Sequence, residues 1–102
     1  MDNRAIAQTI LQQLGGGRFI AMTGCRDFVA RQDSALSFRL PRKTNRITHV
    51  QIALTPMDTY TMDFMCWNSR SLELEPRMSY DGVYCDQLAR IFTEATGLHT
   101  RL

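Results

Sequence analysis

No apolar run in this 102-residue sequence approaches the roughly 20 residues a helix needs to span a bilayer. A soluble chain is therefore expected. Lysine is nearly missing, since eleven of the twelve basic residues are arginine. Arginine suits bidentate contacts to phosphate or carboxylate, although a GC-rich genome also supplies it by default. Cysteine occurs three times, as Cys25, Cys66 and Cys85, with no C-x-x-C pair. An odd number without that spacing argues against a disulfide framework or structural zinc site and for free thiols in a reducing cytoplasm. The first ten residues, M-D-N-R-A-I-A-Q-T-I, lack the basic end and greasy centre of a secretion signal. The expected location is the cytoplasm. No nucleotide or cofactor fingerprint occurs, and the acidic residues Asp58, Asp63, Asp81 and Asp86 lack metal-ligand spacing. No cofactor or metal is expected.

What the chain does have is alternation, most clearly over residues 47–67. Val50, Ile52 and Leu54 alternate with His49, Gln51 and Ala53. After a short P-M-D break, Tyr60, Met62, Phe64 and Cys66 alternate with Thr61, Asp63 and Met65. A period of two puts one side of each strand inward and the other outward, and the short break makes the two runs an antiparallel hairpin.

Around this hairpin the remaining elements fall in order. Residues 2–14 have the spacing of an amphipathic helix, with Asp2 as its cap and Ile6, Ile10, Leu11 and Leu14 along one stripe. Gly15-Gly16-Gly17 stops that helix. A phosphate loop does not fit, because no strand precedes the glycines and no G-K-[ST] follows. R-F-I-A-M-T (18–23) suggests a buried strand, and residues 25–34 a connection with one helical turn. Leu36, Phe38 and Leu40 alternate up to Pro41, and P-R-K-T-N-R then forms a basic connection. Leu72 and Leu74 make a final short strand closed by Pro76. Residues 81–97 read as a second helix, capped by Asp81 and ended by Gly97. The expected architecture is one α+β domain over residues 1–102. It is an antiparallel meander of about four to five strands, with an N-terminal and a C-terminal helix packed on one face.

Two surfaces stand out as candidates for function. Arg39, Arg42, Lys43 and Arg46 place four cations in eight residues, which suits phosphate contacts in a nucleic-acid-binding module. The alternative is a solvated turn whose charges discourage edge-to-edge aggregation. Met65 and Trp67 fall on the mostly polar side of the hairpin. They are either an anchor for a protein partner or a second copy, or are covered by the 25–34 segment with Phe28. Catalytic readings are thin. Cys25 and His49 would have to meet in space to act as a nucleophile and base, and no motif surrounds either one. Charge is uneven: residues 1–50 carry eight basic and three acidic side chains (+5), residues 51–102 four and seven (−3).

F-I-A-M-T-G (19–24), S-A-L-S-F-R-L-P (34–41), D-T-Y-T-M-D-F (58–64) and I-F-T-E-A-T-G-L (91–98) together resemble a family of short proteins of bacteriophages, prophages and other mobile elements. The likeness runs over nearly the whole chain in the same order. It implies a phage or mobile-element context in a bacterial host. Together with the absence of a catalytic constellation and the Met65/Trp67 pair, that context makes the expected function a small, non-enzymatic accessory protein that binds another protein, host-directed or anti-defence action included. The likeness brings no catalytic or binding residues with it. Cys25 stands where the family has a small residue such as alanine, which counts against a catalytic thiol.

Overall fold

The structure is a computed structural model that describes residues 3–99. Helix α1 spans Asn3–Leu14, α2 Gly17–Thr23 and α3 Leu88–Thr96. The strands are β1 Arg26–Arg31, β2 Ala35–Thr44, β3 Ile47–Leu54, β4 Tyr60–Asn68 and β5 Glu73–Val83, and a 3-10 turn at Cys85–Gln87 leads into α3. All five strands pair antiparallel in the order β1-β2-β3-β4-β5. The expected α+β meander with helices from both ends of the chain is therefore the observed architecture.

One face of the sheet carries the core. Leu36, Phe38, Val50, Ile52, Met62 and Phe64 point inward and are buried with Ile6, Ile10 and Leu14 of α1 and Leu88, Ile91 and Phe92 of α3. Phe19 of α2 is the hub. Its ring lies edge-on to Phe38 at 5.6 Å and Phe92 at 5.0 Å, and Phe28 stacks on Phe38 at 5.1 Å. Edge-to-face aromatic pairs add roughly 0.5–1.5 kcal/mol each beyond their buried area. One aromatic cluster thus ties α2, α3, β1 and β2 together.

Four expectations are corrected. Residues 18–23 are helical, not a buried strand. Gly15 and Gly16 turn the chain with φ of 132° and 60°, and the N–H groups of Phe19 and Ile20 then donate to the carbonyls of Gly15 and Gly16. Only Phe19 and Thr23, four apart, are buried in α2. A short apolar run does not by itself separate a buried strand from a helical turn. Residues 26–31 are strand, not connection. β1 is an edge strand with a bulge at Asp27 (φ 60°) and one half-buried apolar residue, Phe28, so it has no period to show.

The third correction concerns 41–46. β2 continues through Pro41 to Thr44, but its pairing with β3 jumps from Arg39–His49 to Thr44–Ile47. Pro41 lies in that irregularity, where its missing N–H breaks no ladder bond. The turn itself is only Asn45-Arg46, both at positive φ (48° and 63°), as a type I′ hairpin requires. The fourth is at the other end. β5 runs past Pro76 to Val83, and α3 starts at Leu88, not at 81. Asp81 lies in the strand. The chain turns into the helix through Tyr84, whose N–H donates to Gln87 Oε1 at 3.0 Å. Tyr84 and Cys85, inside the expected helix, precede the observed one and are exposed. Gly97 does end α3 in the left-handed conformation, with its N–H on the Thr93 carbonyl. The proposed cap Asp2 lies outside the described residues.

Candidate interaction surface

With the helices on one side, the other side of the sheet is left without any covering element among the described residues. Register gives its layout. One row crosses all five strands as Arg26, Arg39, His49, Met65 and Pro76. A second row reads Val29, Ser37, Gln51, Asp63 and Ser79. A third runs Arg31, Ala35, Ala53 and Thr61, of which Ala35 is buried, and Thr61 Oγ1 donates to Asp81 at 3.4 Å on β5. Beyond the first row Trp67 pairs with Leu74.

Met65 and Trp67 therefore fall on one continuous apolar strip with Leu74 and Pro76. Trp67 is 44% exposed and Leu74 38%. The segment suggested as their cover does not fold over them, although Asp27, Val29 and Arg31 line a shallow concavity of about 300 Å3 together with Met65 and Leu74. Residues 26–31 form β1, separated from β4 by two strands, and Phe28 is turned inward onto Phe38. Thr48 Oγ1 accepts the Trp67 N–H at 2.7 Å, which fixes the backbone where β3 and β4 part. Val29 adds a second exposed apolar side chain across the sheet.

The four basic candidates are carried by three different features. Arg39 stands on the open sheet face, with Nη1 3.4 Å from Asp27 Oδ2. Arg42 and Lys43 are exposed in the irregular part of β2, beside Pro41, which packs near Gly24. Arg46 is exposed in the tight turn. That turn is held against the helical layer, because Asn45 Nδ2 donates to the Ala95 carbonyl at 3.2 Å.

Cys25 and His49 do not meet. Cys25 is buried in the core cluster and His49 lies on the opposite side of the sheet. Burial pushes the Cys25 thiol above its ordinary range, against the pull of a hydrogen bond with the Thr23 side chain. Such a thiol is a poor nucleophile. All three cysteines are unpaired, Cys66 buried and Cys85 exposed. The His49 imidazole is held below its ordinary range, first by partial burial and then by the Arg39 guanidinium, while Asp27 pulls it upward. Its Nδ1 is 2.8 Å from Thr48 Oγ1.

On the helical side a cleft of about 750 Å3 lies between α1 and α3, with Gln13, Arg18, Asp86, Arg90 and His99 on its walls. Arg90 is engaged by Glu94 at 3.2 Å. No group of three or more His, Cys, Asp or Glu side chains suited to a metal occurs among the described residues. No helix there is long and apolar enough to cross a membrane.

Leu74, Pro76 and Val29 were not legible as surface residues. L-E-L-E alternation gives a period without saying which phase faces out, and Val29 sits in an edge strand with no readable period. Compared with protein-family models, curated proteins and solved structures, the chain matches none.

Proposed function

We propose that this protein is a non-enzymatic accessory protein of a phage or mobile element, working in the cytoplasm of a bacterial host. It acts by binding a protein through the open face of its sheet. The observation that supports this reading is the strip of half-buried Met65 with exposed Trp67, Leu74 and Pro76, on a face that no helix covers among the described residues. Tryptophan and methionine are enriched at protein interfaces, and buried tryptophans there often dominate the affinity. A binder rather than a catalyst also suits the inert Cys25 and its distance in the fold from His49. The test is capture of a partner by the wild type and by a Trp67→Ser/Leu74→Ser variant whose circular dichroism is unchanged. The wild type should retain a partner that the variant loses. Equal retention would refute the assignment to this face.

A second reading rests on Arg46. An arginine at φ 63° occupies a position where glycine is strongly preferred, at a cost of roughly 1–2 kcal/mol. Together with exposed Arg42 and Lys43 it supports phosphate contact by the β2–β3 hairpin. Gel shifts at low and moderate salt test it. Binding should weaken steeply with salt and disappear in Arg42→Glu/Arg46→Glu, whereas no shift by the wild type at low salt would dispose of this reading.

A further inference from the structure

Because strand order equals chain order, the uneven charge along the sequence becomes a gradient across the sheet. On the open face, β1 and β2 carry Arg26, Arg31 and Arg39 against the single acid Asp27. β4 and β5 carry Asp63 and Asp81 in the second and third rows, and the exposed base of β5, Arg77, is offset by Glu75 at 3.5 Å. His49, Gln51 and Ala53 of β3 lie between the two halves. A surface positive on one side and negative on the other fits itself after a half-turn.

We infer that the partner of this face is a second copy of the same chain, docked face to face about a two-fold axis along β3. This rests on the reading of the open face as a binding surface, and it names the partner. A two-fold axis in the plane of contact can run along the strands or across them. An axis across the strands would set β1 over β1 and β5 over β5, so that arginines oppose arginines and aspartates oppose aspartates. An axis along the strands sets β1 over β5 and β2 over β4. Arg31 then meets Asp81 of the second copy, and Arg39 comes over the Met65–Trp67 end of its β4. The charges thus select one of the two arrangements. The contact is isologous, each patch serving twice, with the aligned strands expected when two twisted sheets pack.

Size sets the strength. Five strands about 4.8 Å apart, with about six residues each at roughly 3.3 Å, give a face of roughly 500 Å2. Two such faces bury about 1,000 Å2, the low end for a specific interface, so the dimer should be in micromolar exchange with monomer. Trp67 and Leu74 supply the apolar part, and cation–π contact between Arg39 and the opposing Trp67 is within the geometry.

The test is sedimentation equilibrium of the full chain over a range of micromolar concentrations, with two charge-reversed variants. Arg31→Asp/Arg39→Asp makes both halves of the face negative, and Asp63→Arg/Asp81→Arg makes both positive. The wild type should show a concentration-dependent doubling of mass. Each variant alone should dissociate at least tenfold more readily, and an equimolar mixture of the two should regain the dimer. Recovery on mixing cannot come from a misfolded variant. A wild type that stays monomeric at concentrations on the order of 100 μM overturns the inference. So does a mixture that stays monomeric, or a variant that dimerises like the wild type. If the wild type is monomeric yet Trp67→Ser/Leu74→Ser still loses a captured protein, the open face binds a different partner, and only the self-association is refuted.

Discussion

The two hairpins that end at the same side of the sheet were built differently. The β2–β3 hairpin closes in two residues and is tied inward. Ile47 is fully buried, Leu40 is buried, and Asn45 reaches the last turn of α3. The β4–β5 hairpin turns through Asn68–Glu73, and at this end its hold on the rest of the molecule is the Trp67 N–H on Thr48 Oγ1 of β3. Asn68 Oδ1 accepts the Arg70 N–H at 2.9 Å, Leu72 is 70% exposed at φ 58°, and Trp67 and Leu74 face solvent. The first hairpin holds the fold together and carries charge at its surface. The second buries Met62, Phe64 and Val83 farther along its strands, but its tip adds nothing to the core and presents the apolar strip. Anchoring and presentation are thus divided between neighbours of the same topology.

The largest way to break that contrast is truncation at the two tips. Ile47→Ala should cost about 2–5 kcal/mol in urea unfolding, as deletions at filled core positions do. Leu72→Ala should stay within about 0.5 kcal/mol of the wild type. Comparable losses at both sites would show that the second hairpin is packed as well. Next in size is Asn45→Ala, which removes the hydrogen bond to Ala95 and places alanine at φ 48°. A loss of about 1–2 kcal/mol is expected, together with earlier fraying of α3 in amide hydrogen exchange. Arg46→Gly should shift stability the other way, by about 0.5–1 kcal/mol, because glycine accepts the left-handed conformation without strain.

The smallest effect concerns His49. Its folded-state value is depressed, so between the folded and unfolded values the unfolded chain binds more protons. Stability should fall as pH drops through about 6.5 and level off below the depressed folded value. In His49→Gln this component should vanish from denaturation midpoints measured between about pH 7.5 and 5.5. An unchanged slope in the variant would assign it to another group.

How much of this was readable from the residues follows from burial on one side only. β3 and β4 are central strands with a core face and an open face, so V-Q-I-A-L and Y-T-M-D-F-M-C declare their period. β1 and the outer part of β5 are edges, exposed on both sides over much of their length, and have no pattern to declare. Both prolines misled for one reason. Pro41 and Pro76 were taken as strand ends, yet each sits where the pairing register shifts, and the strand resumes beyond it. Gly97 was legible because a helix end needs a left-handed residue whatever surrounds it. The sidedness of Met65 and Trp67 came from alternation. The exposure of Trp67 did not, because it depends on where β1 goes, and that is a property of the whole sheet.

The bond between Asn45 and Ala95 joins residues fifty apart. Each strand of the meander pairs with the one made just before it, so the sheet can assemble hairpin by hairpin as the chain leaves the ribosome. The helix that seals Phe19 and Phe38 is synthesised after every strand. A fragment ending at Val83 would hold all five strands with part of its greasy side bare and adhesive. Docking of α3 is the step that covers it.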